Sequence, residues 1–286
     1  MKFGIGLATC REGWDLPPEF AGPEDLINLT QEAENLGIDF VWGSDFISLT
    51  PAHKKRLPAI PNWYEILISL AAISSVTSKI QLGIGVVVLP FRDSVILAKQ
   101  VATLDAFSNG RVMFGVGLGA MREEFERIAP AKLGIHRGRL LEEQLEALIL
   151  LFTKDDATFK GNYVQFDGVT LYPRPIQSPI PIYISGHSGE IFNRVVKWGK
   201  GIVTGRNTIE GVKDTIAKLH MCAEDANRDP ASIDVIVNGA MCLANRREQA
   251  LKKFPESYAG RRFLTAQPGS GTKSRSTVED LTHIDF

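Results

Sequence analysis

The chain has 286 residues, a formal net charge of −1 at pH 7, and an ordinary content of 44% hydrophobic and 23% charged residues. Basic and acidic residues are interspersed, which excludes the basic surface of a nucleic-acid-binding protein and the polybasic segment of a membrane-surface protein. The three cysteines, Cys10, Cys222 and Cys242, are too far apart for metal-ligand spacing or a disulfide framework, which predicts a reducing, cytoplasmic setting. The N-terminal residues do not form the apolar core of a secretory signal, and no stretch reaches the roughly 18 apolar residues of a membrane span.

In chain order, short apolar segments alternate with amphipathic ones. The apolar segments predict seven strands, at residues 3–7, 38–42, 80–89, 112–116, 180–184, 201–204 and 233–237. The amphipathic segments have apolar residues at helical spacing, and several end at a glycine such as Gly37. They predict helices at residues 24–36, 64–76, 94–107, 140–152, 191–198 and 210–227.

Strands that alternate with helices predict right-handed βαβ units and a parallel sheet. Seven such strands in a chain of this length favour an α/β fold with one (β/α)8 TIM barrel domain over residues 1–286, rather than an open doubly wound sheet. Residues 157–172 alternate apolar and polar side chains and contain Gly-Asn and Asp-Gly pairs, which predicts an inserted β-hairpin. Residues 255–286 are predicted to be an irregular tail. Either residues 281–286 close the barrel, or its eighth unit is incomplete.

Barrel enzymes carry their functional residues on the loops that follow the strands. After the fifth and sixth strands these loops read Gly186-His187-Ser188 and Gly205-Arg206, and each leads into a predicted helix. Glycines at a helix N-terminus let backbone N–H groups face an anion, the helix dipole adds to the attraction, and an arginine supplies a cation. These loops therefore predict a phosphate-bearing cofactor. The alternative is that Ser188 and Thr208 only cap their helices.

Acidic side chains follow two other strands. Asp45 ends the second strand beside Phe46, where a carboxylate can orient a polar ring or a substrate, so Asp45 is a candidate catalytic residue. The alternative is an ion pair or a loop cap. The run Glu123, Glu124 and Glu126 follows the fourth strand and is predicted to be a solvated helix face rather than a catalytic pair. No histidine has a partner at metal-ligand spacing, so we expect no metal.

Several stretches resemble one family. AENLGIDFVWGSD, TSKIQLGIGVVVLPFRDSVILAKQVATLDAFSNGRVMFGVGLGAMREEFE, GNYVQFDGVTLYPRPIQSPIPIYISGHS and WGKGIVTG follow one another as in the bacterial luciferase-like flavin oxidoreductases. The resemblance covers about residues 1–245. The short motifs LPFR, LAKQ, ATLD and REEFE are most similar to those of the branch that uses the deazaflavin coenzyme F420.

The resemblance implies a (β/α)8 barrel, often a homodimer, that acts on a small molecule. Members use F420 for hydride transfer, or reduced FMN for oxygen insertion. Gly85 and Val86 match a β-bulge, often with a non-proline cis peptide bond, that supports the cofactor's ring system. Asp45 matches a family aspartate near the deazaflavin ring. The residues that match the family's binding site for the cofactor phosphate, called the phosphate end here, are Gly186, His187, Ser188, Gly205 and Arg206.

Two departures from the family pattern bear on the chemistry. Many F420-dependent members have histidine where this chain has Phe46, and some dehydrogenases have glutamate where it has Ala120. Hydride transfer needs a proton-handling partner, so these departures argue against a sugar-phosphate dehydrogenase. The sequence favours an F420-dependent oxidoreductase. The alternatives are an FMN-dependent monooxygenase and a catalytically degenerate flavin-binding paralogue.

Overall fold

The computed structural model describes residues 1–13, 16–56, 59–186, 189–205, 208–239 and 241–265. Its strands are β1 (Gly4–Gly6), β2 (Phe40–Gly43), β3 (Gln81–Val88), β4 (Val112–Gly117), β5 (Ala157–Lys160), β6 (Gln165–Val169), β7 (Ile182–Ser185), β8 (Gly201–Thr204) and β9 (Asp234–Val237). Its α-helices are α1 (Pro23–Asn35), α2 (Pro51–Arg56), α3 (Ile66–Ser74), α4 (Ser94–Phe107), α5 (Arg122–Ile128), α6 (Arg137–Thr153), α7 (Glu190–Trp198), α8 (Ile209–Asp225), α9 (Arg247–Glu256) and α10 (Tyr258–Thr265).

Seven strands form one parallel sheet in the order β1-β2-β3-β4-β7-β8-β9. Two strands separate β2 from β7, yet the rings of Trp42 on β2 and Tyr183 on β7 meet edge to face, with centroids 6.4 Å apart. Neighbouring strands are about 4.8 Å apart, so a flat sheet would hold these rings much farther from each other. The parallel sheet is therefore strongly curled, with a concave and a convex face.

The two faces of the sheet have separate cores. On the convex face, side chains such as Leu82, Ile84 and Phe114 are fully buried under the helices. On the concave face, a smaller cluster combines residues from successive strands: Phe40, Trp42, Val86, Met113, Tyr183, Val203 and Ile236. Burial on both faces explains why the strand segments are almost continuously apolar in the sequence.

The segment predicted to be a hairpin contains an antiparallel pair, β5 with β6, between α6 and β7. Glu143 of α6 holds the turn of this pair. Its carboxylate accepts hydrogen bonds from the backbone N–H groups of Asn162, Tyr163 and Val164, at 3.0, 2.7 and 3.1 Å. The insertion is thus fastened to the helix that precedes it.

The prediction of an irregular tail from residue 255 is wrong up to residue 265, because α10 occupies Tyr258–Thr265. Pro255 and Gly260 suggested a break in regular structure. Pro255 instead lies in the last turn of α9. A side chain at Gly260 would meet the carbonyl oxygen of Phe254 at 1.7 Å, so the glycine allows α10 to approach α9 closely. Residues 281–286 lie outside the described part of the chain.

The edges of the parallel sheet are β1 and β9, and among the described residues no strand pairs with their outer sides. Ile5 of β1 and Val237 of β9 are 39% and 47% exposed at these edges. The coarse prediction of an α/β fold with a parallel sheet is confirmed, and the described residues form seven of the eight strands that a closed barrel requires.

Candidate functional site at the carboxyl ends of the strands

A bulge interrupts the pairing of β3 with β4. The register passes from Ile84 opposite Phe114 to Val87 opposite Val116, so two residues of β3, Gly85 and Val86, face a single residue of β4. The Gly85–Val86 peptide bond is cis. Bulges of this kind redirect side chains near active sites, and here the bulge turns Val86 into the concave face of the sheet.

Trp42 lies against the bulge and explains its glycine. A Cβ atom on Gly85 would lie 1.5 Å from Nε1 of Trp42, and one on Gly83 would lie 2.0 Å from Cε3 of the same ring. The indole therefore occupies the space that side chains at residues 83 and 85 would need. Its Nε1 atom is buried and has no hydrogen-bond partner within the described chain.

Gly117 connects the bulge to the end of β7. A Cβ atom built on Gly117 would lie 2.7 Å from Cγ2 of Val86 and 4.0 Å from Cβ of Ser185, the last residue of β7. Gly117 therefore lies between the bulge and the end of β7, where a side chain would not fit. We call the surface that runs from Val86 past Gly117 and Ser185 to Gly186 the floor of the site.

Gly186 follows β7 and Gly205 follows β8, and each lies four residues before the first residue of the next helix, Glu190 of α7 or Ile209 of α8. Thr208 caps α8, because its Oγ1 accepts a hydrogen bond of 3.1 Å from the N–H of Gly211. The proposed capping by Thr208 is thus confirmed, and it is compatible with an anion at the same helix end. His187, Ser188 and Arg206 lie outside the described residues.

A cavity of about 280 Å³ is lined by the start of α7, by β8, and by α8 from Asp214 to its last residue, Asp225. Gly186, Gly189 and Thr204 line it at the carboxyl ends of the strands, and α8 lines it with Lys218 and two acidic side chains, Asp214 and Asp225. An anion is favoured near the glycines, where backbone N–H groups and the helix dipoles point, and disfavoured next to the two aspartates.

Asp45 is held in an ion pair. Its Oδ1 accepts a 2.7 Å hydrogen bond from Nη2 of Arg92, and its Oδ2 accepts a 3.1 Å bond from the backbone N–H of Val88. Nη2 of Arg92 also lies 3.3 Å from Glu65. The Asp45 side chain is 1% exposed. The ion-pair alternative for Asp45 is therefore present, and it ties the loop after β2 to the end of β3.

The prediction that the acidic run after β4 is solvated is wrong for Glu124, which is 4% exposed. Backbone N–H groups of Ile47 and Ser48 donate hydrogen bonds to its carboxyl group. Burial, the largest influence, and the nearby Asp45 raise the pKa of Glu124, although the two N–H donors act in the opposite direction. Of the three glutamates on α5, Glu124 is therefore the one whose side chain is buried against the loop after β2.

These features fit a flavin or deazaflavin. The concave face offers an apolar surface at Val86, and the helix starts after Gly186 and Gly205 offer backbone donors for a phosphate.

In the part of the chain that the structure describes, no group of three His, Cys, Asp or Glu side chains is placed to hold a metal ion. In the same part, every helix is too short or too polar to cross a membrane.

Sequence reasoning did not single out Trp42, Arg92 or Glu65, and it assigned Glu124 to a solvated helix face. The paired glycines at 83 and 85 were a usable signal for a large neighbouring ring, since they interrupt an otherwise β-branched strand. Nothing in the sequence pairs Arg92 with Asp45, which lies 47 residues away.

The amino-acid sequence is similar to those of known oxidoreductases. A family model described as luciferase-like monooxygenase matches residues 1–281. The F420-dependent glucose-6-phosphate dehydrogenase of Amycolatopsis mediterranei is 29% identical over 245 residues, which cover 84% of this chain and 71% of that enzyme. The FMNH2-dependent dimethylsulfone monooxygenase of Pseudomonas putida is 28% identical over 276 residues, which cover 90% of this chain and 72% of that enzyme.

Among solved structures, the coenzyme F420-dependent tetrahydromethanopterin reductase from Methanopyrus kandleri superposes with a TM-score of 0.70 at 21% identity. The match covers 88% of this chain and 69% of that chain. At this identity the superposition shows a shared fold. The fold that contains the curled parallel sheet is thus shared with that reductase.

Proposed function

This chain belongs to the luciferase-like monooxygenase family, and we propose that it is a coenzyme F420-dependent oxidoreductase that transfers a hydride to or from a small organic substrate. The observation that carries the proposal is the floor from Val86 to Gly186. It joins an apolar, bulged ring support to a helix start that suits a phosphate.

Each part of the floor has a separate task in this proposal. Val86 and the bulge support one face of the ring system, and Trp42 packs against the bulge on the same concave face of the sheet. Gly186, His187, Ser188, Gly205 and Arg206 form the phosphate end, as predicted from the sequence. Asp45 lies at the ring end and is fixed in place by Arg92 and Val88. When bound, the deazaflavin supplies hydride chemistry at a ring carbon.

The proposal is tested with the purified protein under anaerobic and aerobic conditions. Reduced F420 is mixed with a panel of small carbonyl acceptors, and oxidised F420 with a panel of small alcohols, while the cofactor absorbance is followed. We expect substrate-dependent turnover that does not consume oxygen. Turnover with reduced FMN and stoichiometric oxygen consumption would contradict the proposal.

An FMN-dependent monooxygenase is the second candidate. It is favoured by the similarity to the dimethylsulfone monooxygenase, which covers more of this chain than the match to the dehydrogenase does. The two candidates share the same cleft and differ in their reaction with oxygen. Oxygen consumption therefore separates them.

We also propose that the curled sheet closes into a full barrel, with an eighth strand between β9 and β1. The support is the exposure of apolar side chains at both edges, Ile5 and Val237. An open edge of this kind is a site for strand addition. Closure also confines the cofactor cleft to the rim at the carboxyl ends of the strands.

A further inference from the structure

Glu124 has an unusual environment for a glutamate on a short rim helix. It is almost fully buried, and its Oε1 atom has no hydrogen-bond partner within the described chain. The N–H groups of Ile47 and Ser48 bind the carboxyl group. An ionised carboxylate that is buried with one oxygen unpaired is costly, whereas a neutral carboxylic acid is tolerated far better.

The charges around Glu124 also favour a proton there. Asp45, at the end of β2, raises the pKa of Glu124. Asp45 shares the guanidinium of Arg92 with Glu65. Arg92 thus serves two carboxyl groups, Asp45 and Glu65, and a proton on Glu124 avoids a further negative charge near Asp45. Burial and Asp45 both act in this direction, so the pKa of Glu124 lies above that of an ordinary glutamate.

The other charged side chains of α5 pair among themselves on its exposed side. Arg122 contacts Glu126 at 2.9 Å, and Arg127 lies 3.9 Å from Glu123. They do not compensate the buried carboxyl group. Glu124 therefore lies near Asp45, in the loop after β2, and no cation of its own helix is paired with it.

The helix that carries Glu124 is fixed to the rim. Phe125 is 3% exposed and packs on Phe91, with ring centroids 4.3 Å apart. The guanidinium of Arg137 lies over the Phe125 ring at 4.8 Å and donates to the carbonyl oxygen of Gly119 at 2.8 Å. Phe125 would also be 2.9 Å from a Cβ atom on Gly119. α5 therefore holds its glutamate at a defined position, as an acid–base group requires.

We propose that Glu124 is the acid–base group of the site, in place of the two proton-handling groups that the family pattern has at Phe46 and Ala120. This inference rests on the proposed hydride-transfer function. In the reductive direction, a hydride from the reduced deazaflavin forms a C–H bond at a substrate carbonyl carbon, and the Glu124 proton forms the O–H bond. The C=O π bond breaks, the substrate gains two electrons, and the deazaflavin loses two. In the oxidative direction, the hydroxyl proton returns to Glu124.

The first test measures the proton on Glu124 without any cofactor. The infrared band of protonated carboxylic acids is followed during a pH titration of the wild-type protein, Glu124→Gln and Glu123→Gln. Glu123 lies on the same helix and its side chain is 36% exposed, so it is the matched control. We expect one acid band that persists above the ionisation range of ordinary glutamates, is absent from Glu124→Gln and remains in Glu123→Gln. A band that is the same in all three proteins would overturn the proposal.

The second test uses the turnover assay described above. We expect Glu124→Gln to lower kcat by about 10²-fold or more, and to flatten one limb of the pH profile, while the Kd for F420 changes little. Wild-type kcat and pH profile in Glu124→Gln would overturn the proposal. If Glu124→Gln does not fold, Glu124→Asp shortens the acid by one methylene, and an unchanged kcat and pH profile in that variant would overturn it as well. If the wild-type protein binds no F420, the proposed function fails, whereas the infrared titration still decides whether Glu124 holds the proton.

Discussion

At the residue scale, the concave face of the sheet is organised around the indole of Trp42. Gly83 and Gly85 leave the space that the ring fills, and Phe40 and Tyr183 meet the ring edge to face at 6.1 and 6.4 Å. Aromatic pairs with this geometry stabilise one another by about 0.5–1.5 kcal/mol beyond the area that they bury. Packing of the Trp42 ring on the concave face thus fixes the position of the bulge in β3.

The packing predicts a large effect from a single methyl group. Gly85→Ala places a Cβ atom where Nε1 of Trp42 lies, so the ring or the bulge must move. We expect a loss of about 1–3 kcal/mol in the free energy of unfolding, typical of an overpacked core, measured by urea denaturation. F420 affinity should fall with it, because the bulge carries Val86.

The control for this substitution is Gly134→Ala. No atom lies within 4 Å of a Cβ built at Gly134, and its φ is not in the left-handed region. It should change the free energy of unfolding by less than about 0.5 kcal/mol. Equal effects of the two variants would show that Trp42 does not constrain residue 85.

At the element scale, polar side chains connect the ends of helices and strands on the side of the sheet opposite the rim. Arg111, 8% exposed, donates to the carbonyl oxygens of Ser74, Thr77, Ile80 and Ser108. It therefore joins the end of α3, the start of β3 and the end of α4. Glu34 of α1 completes this junction by accepting three backbone hydrogen bonds, from Ser78, Lys79 and Ile80.

The Glu34 junction predicts a pH dependence of stability. Burial alone would raise the pKa of Glu34, but the three N–H donors and Arg111 outweigh it and lower the pKa below its ordinary value of 4.5. A lowered folded-state pKa gives stability that is complete above the unfolded-state pKa and is lost as the pH falls through the folded-state pKa. Glu34→Gln should therefore be less stable than the wild type at neutral pH, and the difference should shrink below about pH 4.5.

Thermal unfolding at a series of pH values measures this difference. Glu32→Gln, an exposed site on the same helix, is the control and should show no such dependence. A Glu34→Gln deficit that stays constant from neutral pH down to pH 3 would mean that the ionised carboxylate does not hold the loop before β3.

Elements that bury a periodic apolar face could be predicted from the sequence, and elements that depend on distant contacts could not. α4 occupies the predicted residues, because its apolar spacing and the cap at Asp93 are local features. The bulge position followed from family resemblance. The partners of Asp45 and the burial of Glu124 depend on which loops meet at the rim. Asp45 and Arg92 are 47 residues apart, and Ile47 and Glu124 are 77 apart, so neither contact leaves a local pattern in the sequence.

At the scale of the whole molecule, the curled sheet of seven described strands has two edge strands, β1 and β9. Phe3 and Leu7 bond across to β2, and Asp234 and Asn238 bond across to β8, so the intervening residues of each edge strand turn their N–H groups away from the sheet. The outward-facing amides are those of Gly4, Gly6, Val235 and Val237.

Barrel closure predicts that these four amides are protected. Hydrogen exchange measured by NMR should find them slow, as amides bonded within a sheet are, because an eighth strand accepts their hydrogen bonds. The inward-facing amides of Ile5 and Ile236 are the internal reference. Fast exchange at the four outward-facing amides, with slow exchange at the reference amides, would mean that the sheet stays open.

The proposed function depends on which cofactor the floor from Val86 to Gly186 holds. The most direct measurement is a titration of the purified protein with oxidised coenzyme F420 and, separately, with FMN, following cofactor fluorescence. Gly186→Asp, which places a negative charge at the phosphate end, is the matched variant. We expect F420 to bind more tightly than FMN, and Gly186→Asp to weaken the binding of F420. Tighter binding of FMN would contradict the claim in favour of a monooxygenase, and binding of neither cofactor would favour a degenerate member of the family.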